Sequence, residues 1–125
     1  MKKIKMFEEY DYDEEYRSGY ERDTFEEGDI ICVDNRVGLI VSDKYYDDGE
    51  YGYDVYFRSF NGEIFHEDIN DIEHCYFIEY SDMSAYVSIA RKNNYIINIP
   101  VQYQDDFPNE HENSLRRKHA KKFNI

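Results

Sequence analysis

The sequence predicts a mainly β (α+β) protein: a small antiparallel barrel of about five strands, with an acidic N-terminal arm and a short C-terminal helix. Five short apolar or alternating segments follow one another between residues 25 and 80, a spacing typical of small all-β folds. Residues 1–24 contain few aliphatic side chains, and the chain ends in a segment rich in Lys and Arg. At 125 residues the chain has the length of one ordinary domain.

The N-terminal arm, residues 1–24, includes the stretch EEYDYDEEYRSGYERD, in which residues 8–23 carry eight carboxylates and four tyrosines. Such a segment buries little apolar surface, so we expect it to be disordered or loosely docked. Tyrosines between carboxylates can stack or donate hydrogen bonds to a basic surface. The predicted partner-binding residues of the arm are Tyr10, Asp11, Tyr12, Asp13, Glu14, Glu15 and Tyr16.

The first two predicted strands are IICV at 30–33 and VGLIVSDK at 37–44, separated by the turn signal Asp-Asn-Arg. Gly38 indicates a bulge or a close backbone approach within the second strand. Residues 45–52, YYDDGEYG, are expected to form a polar loop. Three acids of this loop complete the set of predicted partner-binding residues: Asp47, Asp48 and Glu50.

The remaining strands follow around an Asn-Gly dipeptide. Residues 53–60 alternate, which predicts that Tyr53, Val55 and Phe57 share one face. Asn61-Gly62 predicts a tight hairpin, because both turn positions require a positive φ. The segment GEIFHED then returns as a fourth strand, and residues 75–80 are expected to be the fifth.

Residues 25–80 resemble the SH3-like barrels, including the Tudor and KOW-type modules. The resemblance depends on the strand spacing in GDIICVDNRVGLIVSD, YDVYF and NGEIFHEDINDIEHCYF, and on the glycines of Gly28-Asp29, Gly38 and Gly62. It implies an architecture that many functions share.

The C-terminal part of the chain is expected to contain a short helix at 83–93 and a strand at 94–103 limited by Pro100. Residues 105–113 are expected to form a loop before a basic helix. The predicted organisation is therefore an arm at 1–24, an SH3-like β domain at 25–103, and a loop with a basic helix at 104–125.

The formal net charge is −13, and residues 6–82 carry 24 acids but only 5 Lys and Arg residues. This field repels phosphate and attracts basic partners, so direct nucleic-acid binding through the acidic part is not expected. The C-terminal helix offers a phosphate-binding patch, or it folds onto the acidic part. Its basic residues are Arg116, Arg117, Lys118, Lys121 and Lys122.

No residue pattern indicates catalysis, a metal site or a cofactor. Cys32 and Cys75 have no metal-type spacing, and no glycine-rich phosphate loop or paired-His helix occurs. One segment has the residue types of a metal site without the ligand spacing: His66, Glu67, Asp68, Asp71, Glu73, His74 and Cys75. We therefore expect a protein that is not an enzyme. An enzyme of unrecognised type is the least favoured of the functions considered.

In size and charge the chain is similar to phage-encoded DNA mimics, which inhibit restriction or CRISPR nucleases. This resemblance implies a non-enzymatic inhibitor that occupies a basic, nucleic-acid-binding surface of a partner protein. A cytoplasmic location away from membranes is expected because the sequence shows no signal peptide, no apolar run of membrane-spanning length and only two cysteines. The alternative is an SH3-like module that holds a peptide or a nucleic acid on an aromatic surface. The aromatic candidates are Tyr45, Tyr46, Tyr51, Tyr53, Tyr56 and Phe57.

Overall fold

The computed structural model of the protein describes residues 25–122, so the predicted N-terminal arm with its partner-binding residues lies outside the described part. Six strands and two α-helices form the described part: β1 (Ile30–Val33), β2 (Arg36–Ile40), β3 (Tyr45–Asp47), β4 (Glu50–Phe57), β5 (Glu63–Asp68), β6 (Glu73–His74), α1 (Tyr80–Asn93) and α2 (Pro108–Lys122). Three single-turn 3-10 helices occur at Arg58–Phe60, Ile69–Asp71 and Val101–Tyr103. The mainly β, α+β prediction is confirmed.

All strand pairs of the described sheet are antiparallel, in the order β3-β4-β2-β1-β6 with β5 on the opposite edge of β4. β2 and β3 lie one after the other along the same edge of β4. The two outer strands, β5 and β6, do not pair with each other, so the sheet is open rather than a closed barrel.

Two-residue turns form two of the hairpins. Asp34-Asn35 connects β1 to β2, with φ of 52° and 65°. Asp48-Gly49 connects β3 to β4, with φ of 52° and 88°. The prediction of a polar loop at 45–52 is therefore wrong, since Asp-Gly makes this segment a hairpin.

The predicted hairpin at Asn61-Gly62 is confirmed, with φ of 59° and 83° at the two residues. The connection is longer than a two-residue turn, because the last pair of β4 and β5 is Phe57↔Glu63 and a 3-10 turn fills Arg58–Phe60.

One face of the sheet encloses an apolar cluster. Tyr53, Val55 and Phe57 are 2%, 0% and 1% exposed, which confirms the predicted alternation. They pack with residues of the first strands and of the loops: Phe25, Ile31, Val33, Ile40 and Ile72. A side chain at Gly38 would lie 2.5 Å from Val55, so the predicted close approach at this glycine is confirmed.

The other face packs against α1. Ile30 and Leu39 face the helix residues Met83, Tyr86, Val87 and Ala90. The helix predicted at 83–93 is confirmed, although it begins three residues earlier, at Tyr80. It ends at Asn94, whose φ of 62° permits the left-handed cap.

The predicted strand at 75–80 is wrong, since only Glu73 and His74 pair with β1 before the chain turns into α1. The prediction of a strand at 94–103 is wrong too. Ile96, Ile97 and Ile99 are buried, but their segment pairs with no described strand. The Ile97 N–H donates to Ser114 Oγ (3.0 Å) and the Asn98 N–H to the Gly28 carbonyl (2.8 Å). The loop predicted at 105–113 is wrong from Pro108 onward, where α2 begins.

Candidate functional site

The predicted partner-binding acids of the 45–52 segment lie at one end of the sheet. Asp47, Asp48 and Glu50 surround the Asp48-Gly49 turn and are all exposed. The register of β4 with β5 places Asp68 opposite Gly52, two residues from Glu50. The end of β5 and its following turn therefore lie beside the β3-β4 hairpin.

Glu50 and Asp68 are in hydrogen-bond contact, and this contact raises the pKa of the Glu50 carboxyl. The negative charges of Asp71 and Asp48 act in the same direction. The pKa of Asp68 is lowered, first because its carboxylate accepts from the backbone N–H of Asn70 at 2.6 Å. The contact with Glu50 is the second cause of this lowering.

A third carboxyl of this region is Glu67, on the other face of β5. Its pKa is raised by burial, and then by the charges of Asp71 and Asp34. Asp71 thus acts on both Glu50 and Glu67 and joins the two groups of acids. We use the name acidic face for the carboxylates grouped around the end of β5, on both sides of that strand. They are Glu50, Glu67 and Asp68, whose pKa values are shifted, and three neighbours whose charges contribute to the raised values: Asp34, Asp48 and Asp71.

The sequence analysis named some of these carboxylates for partner binding, which stays a prediction, and did not group them with the others. Asp48 and Glu50 were predicted as partner-binding residues, whereas Glu67, Asp68 and Asp71 were considered only as metal ligands. The missed signal is Asp48-Gly49, since a hairpin there makes β4 begin at Glu50, which places its start beside the end of β5.

The His and Cys residues of the 66–75 segment do not come together. The His66 ring packs on Tyr45 at 4.8 Å, and the His74 ring packs on Phe25 at 4.5 Å. Among residues 25–122 no three His, Cys, Asp or Glu side chains are arranged to hold a metal ion. Both ring nitrogens of His66 are buried, without a hydrogen-bond partner in the described structure.

The two cysteines are neighbours, which their separation in the chain concealed. Burial and the adjacent Cys75 thiol raise the pKa of Cys32 to about 11. The Cys75 thiol donates to the Phe77 carbonyl at 3.2 Å. Both cysteine residues are only partly buried.

The aromatic candidates of the sequence lie in different environments. Tyr53 and Phe57 are core residues, and Tyr56 packs between Tyr86 and Tyr95. Tyr45 packs on His66 and donates to Asp54 at 2.5 Å, which raises its pKa to about 12.

Tyr46 and Tyr51 are the most exposed of the aromatic candidates, at 61% and 55%. Their rings lie 5.0 Å apart, and the Lys44 ammonium lies 5.6 Å from the Tyr51 ring. We call these three residues the aromatic patch.

The basic helix folds onto the acidic part of the chain, as one of the two interpretations predicted. Lys118 pairs with Glu26 at 2.7 Å. Lys121 pairs with Glu27 at 2.5 Å and with Asp43 at 2.8 Å. These contacts reduce the positive potential that the helix could offer to phosphate.

The chain matches no protein-family model, no curated protein and no solved structure. Within the described residues, no helix is both long and apolar enough to cross a membrane.

Proposed function

We propose that this protein is a non-enzymatic interaction factor whose acidic face occupies a basic, nucleic-acid-binding surface of a partner protein. The observation that supports this function is the grouping of six carboxylates around the end of β5, where Asp68 lies opposite Gly52 beside the exposed Asp48 and Glu50 of the neighbouring hairpin. The contact with Asp68, and then the charges of Asp71 and Asp48, raise the pKa of Glu50; burial, and then the charges of Asp71 and Asp34, raise that of Glu67. In the described structure, none of the six forms an ion pair with Lys or Arg. This cluster of negative charge is therefore available to a partner.

Carboxylates can replace phosphates on such a partner for a physical reason. Lys and Arg side chains bind carboxylate and phosphate oxygens through the same charge-assisted hydrogen bonds. A protein that concentrates carboxylates on one surface competes with nucleic acid for those side chains. It also approaches the partner faster, because long-range attraction steers association. Inhibition of a restriction or CRISPR nuclease is the form of this function that we propose.

We also propose that the open sheet is a variant of the SH3-like barrel. Three features support this architecture. β6 pairs with β1, so the first and last strands are adjacent. The outer strands β5 and β6 are consecutive in the chain and are joined by the 3-10 turn at Ile69–Asp71. One face of the sheet encloses its own apolar cluster.

The function is tested by competition. The protein is used to capture partners from a bacterial lysate with elution at increasing salt, and each captured protein is then assayed for DNA binding in its presence. The expected result is displacement of DNA that weakens as salt rises, because salt screens exposed charges.

A matched pair of variants locates the surface. Glu50→Gln with Asp71→Asn removes two charges from the acidic face, and Asp105→Asn with Asp106→Asn removes two exposed charges elsewhere. Exposed ion pairs contribute about 0–1 kcal/mol each, so the first variant, which loses two, should displace DNA up to about thirtyfold more weakly. Equal effects of the two variants would contradict the proposed surface.

The aromatic patch supports a second candidate function, a binding module for a peptide or a nucleic-acid base. Tyr46 and Tyr51 present two paired, exposed rings beside Lys44. If this patch holds the partner, Tyr51→Ala should weaken binding more than the two-charge variant of the acidic face, since interface aromatics often dominate affinity. The reverse order supports the acidic face.

A further inference from the structure

β5 is a sheet edge. Its six residues pair with β4 from Gly52↔Asp68 to Phe57↔Glu63, and no described residue pairs with its other side. The direction of the neighbouring backbone groups fixes which residues of β5 face outward. The Asp54 N–H donates to Ser42 Oγ (2.9 Å) and its carbonyl accepts from the Val41 N–H (2.9 Å), so Asp54 is directed away from β5.

Alternation then determines the outer edge of β5. Asp54 is opposite His66 and is not hydrogen-bonded to it, so His66 and Ile64 direct their backbone N–H and C=O groups outward. The alternate residues of the strand form their backbone hydrogen bonds inward, to β4. These residues are Glu63, Phe65 and Glu67. On the outer edge these three occupy the positions where the side chains of an added strand approach most closely.

The side chains of this edge indicate what could pair with it. Ile64 and Phe65 are 47% and 38% exposed, so the middle of the strand presents apolar surface. Carboxylates flank it at Glu63, Glu67 and Asp68, and the strand contains neither Lys nor Pro, two residues that commonly protect edge strands.

Charge decides between the candidate occupants. A second copy of β5 would place carboxylate against carboxylate, which is unfavourable for directly opposed residues. The N-terminal segment 8–23 carries eight carboxylates and is repelled in the same way. A basic strand meets opposite charge at both ends of the edge.

We propose that the partner docks by adding an extended basic segment, antiparallel, to the outer edge of β5. Its backbone hydrogen-bonds to Ile64 and His66. Its side chains follow the order basic, apolar, basic at alternate positions, opposite Glu67, Phe65 and Glu63. This inference rests on the proposed function, to which it adds the mode of binding and the sequence pattern of the partner.

The test uses the synthetic peptide acetyl-TKTVTKT-amide and the full-length protein labelled with nitrogen-15. The measurement is hydrogen exchange of the Ile64 and His66 amides by NMR. These amides should exchange fast in the free protein. With saturating peptide their exchange rate should fall by a factor of about ten or more, because hydrogen-bonded amides are protected. The amides of Glu63 and Glu67, which already bond to β4, should change little.

Two N-methylated peptides of the same charge separate strand pairing from simple attraction. Methyl groups on the third and fifth amides remove the hydrogens that face β5, so this peptide should not protect Ile64 and His66. Methyl groups on the second, fourth and sixth amides face away and should leave protection intact. In the variant Glu63→Lys with Glu67→Lys, acetyl-TETVTET-amide should replace the basic peptide as the ligand.

Other outcomes overturn the inference. Slow exchange of Ile64 and His66 in the free protein means that the chain covers its own edge. Equal binding of both methylated peptides means attraction without strand pairing, and absence of protection at millimolar peptide means that the edge does not take up a basic strand. In the last two cases DNA competition can still succeed, so this inference and the proposed function fail independently.

Discussion

At the scale of single residues, Tyr86 connects three parts of the chain. Its ring is 2% exposed on α1. Its hydroxyl donates to the Val37 carbonyl at 2.9 Å and accepts from the Arg58 N–H at 3.3 Å. The helix is thus joined to β2 and to the start of the β4-β5 connection.

We predict that Tyr86→Phe lowers the free energy of unfolding by about 1–3 kcal/mol, because a partly buried carbonyl and N–H lose their partner. Urea unfolding measures this difference. Tyr80→Phe is the control, since Tyr80 is 54% exposed and surface changes usually stay within about 0.5 kcal/mol. An equal effect of both substitutions would show that the Tyr86 hydroxyl does not stabilise the fold.

Cys32 provides a second prediction at this scale. Burial and the neighbouring Cys75 thiol raise its pKa to about 11, and only the thiolate reacts with alkylating reagents. Iodoacetamide should therefore modify Cys32 slowly at neutral pH, at a rate that rises about tenfold per pH unit until the pKa is approached. Cys75→Ala removes one cause of the shift and should speed the reaction at Cys32. A Cys32 rate that levels off below pH 9 in the unsubstituted protein would contradict this prediction.

At the scale of elements, local sequence patterns predicted the hairpin strands well. Alternation identified β4, and a positive-φ dipeptide identified the connection to β5. One failure is the β3-β4 hairpin, where the Asp48-Gly49 turn was interpreted as part of a polar loop. Another occurs where apolar residues are buried without a strand partner. Ile97 is 2% exposed, but its N–H bonds to Ser114 of α2 rather than to a strand. Since such a partner is distant in sequence, the pattern of residues 94–103 could not reveal it.

The acidic face was only partly predictable for the same reason. Asp48 and Glu50 are local features of one hairpin. Asp34 and Asp71 belong to other turns of the chain. They come close to the rest of the acidic face only when the strands pair in the observed register. Register in turn depends on close contacts such as the one at Gly52.

We predict that Gly52→Ala disrupts the pairing of β4 with β5. A Cβ at this position would lie 2.0 Å from the Glu67 carbonyl oxygen, so the strands must separate. The expected loss of unfolding free energy is about 3 kcal/mol or more. Gly49→Ala is the control: it meets no atom within 4 Å and has only the strain of φ +88°, about 1–2 kcal/mol. Denaturant unfolding of both variants measures the difference, and equal losses would argue against the close approach at Gly52.

At the scale of the whole molecule, the charges are arranged unevenly. Lys118 and Lys121 of α2 pair with Glu26, Glu27 and Asp43. Hydrogen bonds from Lys121, first to Asp43 and then to Glu27, raise its pKa. The acidic face has no such pairing among the described residues, so the repulsion of a chain with net charge −13 is concentrated there.

Carboxyls with raised pKa values make stability depend on pH in a defined direction, through burial and hydrogen bonding as well as through this repulsion. The pKa values of Glu50 and Glu67 are raised in the folded protein, as is that of the buried Asp29. A raised pKa means that the folded state binds the proton more tightly, so its stabilising contribution is complete below the unfolded pKa and is lost as pH rises through the folded one. The lowered pKa of Asp68 acts oppositely, but its contribution is lost only at lower pH, below the ordinary value of 3.8.

We therefore predict that the melting temperature falls as pH rises from about 4.5 through the raised pKa values of these carboxyls, and that added salt restores part of the loss at neutral pH by screening the acidic face. Glu50→Gln with Glu67→Gln should reduce both the pH dependence and the salt effect, because the amides cannot ionise. Asp105→Asn with Asp106→Asn is the control: it removes the same number of charges from a surface outside the acidic face and should keep both dependences. Thermal unfolding at several pH values and salt concentrations measures them. A melting temperature that rises steadily over this pH range, or equal behaviour of the two double variants, would show that the acidic face is not under electrostatic repulsion and would remove the physical basis for its attraction to a basic partner.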